Sequence, residues 1–423
     1  MKASSISFAL ESFLSYNYSP AMVKRAAGIV GKMIDKNINS GTLNKIQNFR
    51  LSRFINYLSK KSPFYRNMFN KYQINPSSIH SPSDLRILPF TTSNDLRKWE
   101  RFFCVKPEQF AAVFTTSGTT GEPKRIYYTC RELQTLTNLY AVFMRISCTG
   151  RLIVLIALPM SHGLWIGSAS AMRAVERAGG LPLPVGANNS AETIQWMKRF
   201  KPNILISSPS YMTSLTWESK RINYQPVIEK VFLGRELLSE DQRELFSEYW
   251  RADVFDTYGS TEIGSAQTIS LPGCNALHLN DFDLVTEIID PVTNLPADEG
   301  ELVFSTISRE GMPLLRYKSG DRARWETCRC EFPLSSVRLL GRTDDMIVAG
   351  DMNLYGRIVK RIIARIPGST GKVAIKIDKI RLMDRLTLQI EGTGIDKEDV
   401  VQKKMKLPLC SVSNRLIDIA KYF

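Results

Sequence analysis

Thr115-Thr-Ser-Gly-Thr-Thr-Gly-Glu-Pro-Lys124 is the stretch on which the reading of this chain turns. It holds five hydroxyl side chains, two glycines, a proline and a terminal lysine. Gly118 and Gly121 let backbone amides approach an anion closely. The hydroxyls of Thr116, Ser117, Thr119 and Thr120, with the ammonium of Lys124, complete a cradle for phosphates. The G-x-x-x-x-G-K-[ST] spacing of a Walker A loop is absent. A solvated surface loop accounts for the hydroxyl density alone, but not for the whole ten-residue pattern.

Outward from this loop, short apolar runs alternate with helical stretches. Arg151 to Leu158 reads as a buried strand, and Gly167 to Ala178 as a helix ended by Gly179 and Gly180. Ala191 to Phe200 is an expected helix, Asn203 to Ile206 a strand, Ile228 to Leu233 a strand, Glu240 to Trp250 a helix, and Ala252 to Thr257 a strand. This alternation predicts an α/β fold with a largely parallel sheet. Residues 1–100 read mostly as helix, broken at Asn75-Pro-Ser-Ser78. From Asp281 to Leu340 short strands (Leu284 to Ile289, Glu301 to Ser305, Arg338 to Leu340) between Gly and Pro turns predict a small β-rich subdomain. Beyond Gly341, Ile358, Ile362 and Ile366 with Val359 and Ile363 form one apolar helical face. Strand candidates Lys372 to Ile377 and Arg385 to Ile390 follow. The expected organisation is a large domain over 1–341 with parallel and mixed sheets, its β-rich part at 281–340. A small α+β domain follows over 342–423, joined at Arg342-Thr-Asp-Asp345.

The 423 residues are 43% hydrophobic and 23% charged, the balance of a globular protein with a sizeable core. No apolar run reaches the ~20 residues that span a bilayer. The first residues carry Glu11 within their apolar part and no clear cleavage site, which argues against a signal peptide and for the cytoplasm, with no membrane partner. Seven cysteines in a reducing compartment are expected to be thiols or metal ligands. The formal net charge of +15 suits phosphorylated ligands, the phosphates of a nucleotide thiol or an acidic carrier protein, and equally a plain solvated basic face. No nucleic-acid motif accompanies it.

Three further motifs follow in order: Tyr258-Gly-Ser-Thr-Glu262, Tyr317-Lys-Ser-Gly-Asp321 and Gly341-Arg-Thr-Asp-Asp345. With Thr115 to Lys124 they resemble the phosphate loop, the Y-G-x-T-E, the Y-x-T-G-D and the G-R-x-D-D hinge of the adenylate-forming superfamily. That superfamily comprises acyl- and aryl-CoA ligases, peptide-synthetase adenylation domains and luciferases. The run PLLRYKSGD and the Cys-x-Cys after it resemble its phenylacetate-CoA ligase branch. The resemblance covers roughly residues 80–365. It implies ATP and Mg²⁺, with Lys124, Thr261 and Glu262 as catalytic residues and Glu262 as the magnesium ligand. It also implies a nucleotide site built from the loop and from Gly234, Glu236, Tyr258, Gly259, Asp321 and Arg342. Tyr258 offers a ring to adenine, Asp321 accepts from ribose hydroxyls, and Arg342 reaches ribose or phosphate unless Asp344 or Asp345 holds it. Arg235 stands where relatives often have a second glycine.

The acid pocket is expected between the strand ending at Met160 and the turn after Ser207, from His162, Trp165, Ser208 and Tyr211. Large rings there favour a flat or aromatic acid. His162 meets the carboxylate or caps the next helix. Cys274, His278, Cys328 and Cys330 make a Cys₃His set of the structural-zinc kind, as in some relatives; buried apolar cysteines are the alternative. The chain departs from the family at its end. The lysine that relatives place in a P-R-x-x-G-K-like stretch falls near Val412, Lys360 replaces a glutamate, and Gly356 a proline. The function implied is an ATP-dependent acid–thiol ligase. It would activate an aromatic or polyketide-like carboxylic acid as an acyl-adenylate and pass it to the phosphopantetheine thiol of CoA or of an acyl-carrier protein. The alternatives are a degenerate carrier-protein-binding or auxiliary member, and a transferase working on ready-made thioesters.

Overall fold

The computed structural model describes residues 20, 23, 40–116, 124–160, 164–187, 189–271, 274–328, 330, 334–343, 346–349, 352–355, 359, 369–380, 383–392, 411–413 and 416–418. Helix α1 (Ser40–Lys61) buries Leu43, Ile46, Leu51, Phe54, Ile55 and Leu58, the i, i+3, i+4 stripe of an amphipathic helix. Helix α2 (Pro63–Lys71) starts on Ser62, whose side chain accepts from the Tyr65 amide, with proline at the first helical position. Strands β1 (Phe110–Thr115) and β2 (Arg125–Thr129) form an antiparallel hairpin. Helix α3 (Cys130–Ser147) leaves β2 through a Thr129–Glu132 capping box.

Next come β3 (Ile153–Ala157), α4 (Ile166–Arg177), β4 (Leu181–Pro184), α5 (Ser190–Phe200), β5 (Ile204–Ser207), α6 (Pro209–Arg221), β6 (Lys230–Leu233), α7 (Glu240–Trp250) and β7 (Asp253–Ser260). Strands β3 to β7 pair in parallel in the order β4-β3-β5-β6-β7. β5 is buried at every position, which is why 204–206 read as an apolar run, closed by the buried Ser207. β4, Leu-Pro-Leu-Pro, was not expected; two prolines are tolerated because it is the sheet's edge.

The sheet continues through β8 (Gly264–Leu271), β9 (Cys274–Leu279), β10 (Leu284–Ile289), β11 (Glu299–Thr306), β12 (Tyr317–Trp325) and β13 (Ser336–Arg342), all antiparallel to their neighbours, to eleven strands. The antiparallel run therefore starts at Gly264, earlier than the change of texture at Asp281. Further on, β14 (Met346–Ala349) pairs with β15 (Met352–Tyr355), and β16 (Ser369–Ile380), β17 (Met383–Gly392), β18 (Ser411–Ser413) and β19 (Leu416–Asp418) form a four-stranded antiparallel sheet. The two expected strands lie within β16 and β17. The expected helix around Ile362, the joining Asp344 and Asp345, and Gly356 and Lys360 fall outside the described residues. Among the described residues, no helix is long and apolar enough to cross a membrane.

Candidate functional site

Four parallel strands end on one edge of the sheet, where an open α/β sheet places its ligands. Leu164 and Trp165 follow β3, Ser208 follows β5, Gly234 to Glu236 follow β6, and Tyr258 to Glu262 close β7. The β1–β2 hairpin delivers Thr116 and Lys124, the two ends of the expected phosphate loop, to each other: the Thr116 amide donates to the Lys124 carbonyl at 3.2 Å. Ser117, Gly118, Thr119, Thr120 and Gly121 lie outside the described residues, as does His162.

At the centre, Lys124 Nζ donates to Glu262 Oε1 at 2.6 Å, and the Tyr317 hydroxyl donates to the same oxygen at 2.8 Å. Lys124 Nζ is also 3.2 Å from the Tyr317 oxygen. Burial alone would push the Glu262 carboxyl up, but Lys124 and the hydrogen bonds from Lys124 and Tyr317 more than offset it and hold it at about 2. Burial and the facing carboxylate push the Tyr317 phenol well up, so it stays a donor. The turn carrying Thr261 and Glu262 is clamped from below. Tyr128 Oη donates to the Thr261 carbonyl at 2.6 Å, and Arg309 donates to the Glu262 carbonyl at 2.7 Å.

A second cluster stands on β7, β12 and β13. Tyr258 Oη donates to Asp321 Oδ2 at 2.7 Å and Arg342 to Asp321 Oδ1 at 2.9 Å. Asp321 and Arg342 are register partners on neighbouring strands. Gly320 makes the approach feasible: a Cβ there would stand 2.6 Å from the Arg342 guanidinium, and its φ is +79°. Burial raises the Asp321 carboxyl although Arg342 and Tyr258 oppose it. The Tyr258 ring stacks at 6.1 Å from Phe304. Arg342 thus meets Asp321.

Other expected residues are placed as follows. Gly234 packs tightly, since a Cβ would meet Thr257 Oγ1 at 2.6 Å. Glu236 Oε2 accepts from the amide and hydroxyl of Ser210 at 3.1 and 2.6 Å, in the first turn of α6. Ser208 caps that helix, accepting from the Tyr211 amide. Tyr211 is in the core, its hydroxyl 2.7 Å from that of Thr193. Trp165 precedes α4, packs across Gly167, and lies 5.7 Å from the Arg235 guanidinium. Gly259 is on β7 between Tyr258 and the Thr261–Glu262 turn. Arg309, Tyr128 and Tyr317 are the site residues that received no role from the sequence.

The sulfur cluster is also assembled. One ligand atom from each of Cys274, His278, Cys328 and Cys330 lies within 4.8 Å of the others. His278 Nε2 is 3.5 Å from Cys274 Sγ and 3.2 Å from Cys330 Sγ, and Cys328 and Cys330 Sγ are 2.8 Å apart. Cys274 and Cys328 are bonded as a disulfide, where the sequence predicts thiols or ligands. A disulfide engages two of these four groups; the convergence of all four, three sulfurs and an imidazole nitrogen, is the donor set of a closed zinc site.

Residues 73–306 match the family described as AMP-binding enzyme. The chain is similar to phenylacetate-coenzyme A ligase of Aromatoleum evansii, at 29% identity over 82% of this chain and 81% of the relative. It is similar to the enzyme of the same name from Escherichia coli K12 at 26%, covering 82% of each. A 4-chlorobenzoate–CoA ligase of an Arthrobacter species is 24% identical over 72% of this chain and 62% of its own length. Among solved structures, 2-hydroxyisobutyryl-CoA ligase with 2-HIB-AMP and CoA superposes with a TM-score of 0.74 at 24% identity, over 82% of this chain and 78% of that one.

Proposed function

The chain belongs to the AMP-binding enzyme family, and on that premise we propose that it is an AMP-forming acid–thiol ligase that joins a carboxylic acid to the thiol of CoA. The observation that carries this reading is the Lys124–Glu262–Tyr317 constellation beside Tyr258–Asp321–Arg342 at the sheet's carboxyl edge. Asp321, held by a phenol and a guanidinium, offers acceptors to a ribose diol. Tyr258 offers its ring to the base. Glu262, ionised and buried, would hold magnesium, which when bound neutralises phosphate charge. Lys124 then exchanges its carboxylate for a phosphate oxygen. In the first half-reaction an oxygen of the substrate carboxylate attacks the α-phosphorus and pyrophosphate leaves. In the second the thiol sulfur attacks the acyl carbon, its proton is lost and AMP leaves. The similarity to phenylacetate and 4-chlorobenzoate ligases and the indole of Trp165 support a flat aromatic acid as the substrate class. CoA is the acceptor we favour over a carrier protein, since CoA ligases recur among the relatives.

The test is exchange of labelled pyrophosphate into ATP across a panel of aromatic acids. Acid-dependent exchange is the expected result. ATP binding without exchange for any acid would favour an auxiliary role, to which the absent lysine near Val412 points.

We also propose that, with Cys274 and Cys328 reduced to thiolates in place of their disulfide, Cys274, His278, Cys328 and Cys330 hold one structural zinc ion, pinning β9 to the segment before β13. The purified chain should contain about one equivalent of zinc, and chelation under reducing conditions should lower the melting temperature by several degrees. Less than half an equivalent would assign the cluster to the Cys274–Cys328 disulfide instead.

A further inference from the structure

Arg235 holds a left-handed backbone, φ +76°, which suits glycine and strains a residue with a side chain. Lys201 and Arg251 share that region as the C-caps of α5 and α7, where it is ordinary. Arg235 caps no helix; it stands on the loop after β6, at the sheet edge that carries the site. Strain of this kind persists where the surroundings fix it and binding uses it. The chain on both sides is fixed. The Gly234 amide donates to the Ser207 carbonyl at 3.2 Å, and Gly234 lies too close to Thr257 to carry a Cβ. Glu236 is tied to the amide and hydroxyl of Ser210.

The Arg235 guanidinium lies 5.7 Å from the centre of the Trp165 indole. Trp165 is fixed as well. The Thr115 amide donates to the Leu164 carbonyl at 2.9 Å, and the indole folds over Gly167, where a Cβ would stand 2.3 Å from it. β3, which leads to Trp165, and β6, which leads to Arg235, flank β5 and are two strand spacings apart, about 10 Å. The contact thus bridges the loops on either side of β5. β7, which leads to Glu262, is the neighbour of β6 on its other side.

From this we infer that Arg235 sets the length of the acid: with Trp165 it forms the end wall of the acid pocket and restricts the ligase to acids about one ring long. The inference rests on the ligase reading for which ligand fills the pocket. An acid held by its carboxylate beside Glu262 extends along the sheet edge past β6 and meets this wall before it can cross β5. β6 and β7 are about 5 Å apart, room for one ring rather than two. The role is one of shape. The guanidinium already has its contact with the indole face, and it is the reach of the side chain that closes the gap. Glycine at 235 would relax the backbone and open the wall.

The test compares benzoate with biphenyl-4-carboxylate in pyrophosphate exchange by the full chain. Wild type should favour benzoate. In Arg235→Gly the ratio of kcat/KM for the longer acid to that for benzoate should rise about tenfold or more, the range that filling or vacating part of a pocket commands, with a melting temperature no lower than that of wild type. Arg235→Met keeps the reach without the charge and should leave the ratio near its wild-type value. If neither protein exchanges with any acid, the ligase reading has failed, and saturation-transfer NMR of the two acids on the same proteins decides this one: the same shift in relative affinity upholds it. Three results overturn the proposal: a ratio that Arg235→Gly does not move, whether both acids are kept or both are lost; a shift in Arg235→Met as large as in Arg235→Gly; or no binding of either acid to either protein.

Discussion

Glu262→Gln is expected to lower acid-dependent pyrophosphate exchange about 10²–10³-fold, the usual cost of losing one fixed electrostatic group at a transferring centre. Glutamine has the same shape, and its amide oxygen still accepts from Lys124 and Tyr317. What goes is the charge that Lys124 now neutralises at 2.6 Å and that a divalent cation requires. Acid stability provides a second measurement on the same substitution. The folded Glu262 carboxyl sits at about 2, below its ordinary 4.5, because Lys124 and Tyr317 outweigh burial. A depressed carboxyl contributes stability that is present above 4.5 and lost as pH falls towards 2. The wild-type melting temperature should therefore fall across that window more steeply than that of Glu262→Gln. Full exchange by the variant with an unchanged acid limb would remove Glu262 from both the reaction and the ion pair.

The sequence shows those parts of the molecule whose cause is local. β5 and β6 are visible because their runs 204–206 and 231–233, buried on both faces, are apolar. α7 is visible, and Ser239–Gln242 caps it within four residues; α3 has a comparable cap in Thr129–Glu132 but received no reading from the sequence. β8 and β9 are not visible: they bury Gln267, Thr268, Ser270 and His278, which look like surface until the strands beside them are in place. The site divides in the same way. Tyr258, Glu262, Asp321 and Arg342 announce themselves in short motifs. Arg309 sits in Ile-Ser-Arg-Glu-Gly with no pattern, because the atoms it holds belong to Glu262 and Tyr127, 47 and 182 residues away. Its one local trace is an arginine eight residues before the Tyr317 motif, too weak to assign a role.

Arg309→Met should be the most damaging single change outside the reacting groups. Arg309 is 6% exposed and its partner Glu132 4%. Its guanidinium ties Glu132 at 3.4 Å, the Glu262 carbonyl at 2.7 Å and the Tyr127 carbonyl at 2.8 Å, and lies 4.1 Å from the centre of the Tyr128 ring. Methionine fills much of the volume and none of the bonds, leaving a buried carboxylate without its cation and two carbonyls without donors. Removing one partner of a buried pair costs roughly 3–5 kcal/mol. The lower end is expected, since Glu132 keeps the amides of Thr129 and Gly311 at 2.7 and 3.0 Å. Urea unfolding measures this loss. The double variant Arg309→Met/Glu132→Gln should recover about 1 kcal/mol or more relative to the sum of the single changes, because the stranded charge is gone. Strict additivity would mean that the two side chains are neighbours without being coupled. Exchange should fall as well, in kcat more than in the KM for ATP: the turn that presents Glu262 loses one of the two clamps that fix it, while Asp321 and Tyr258 remain in place to receive the nucleotide.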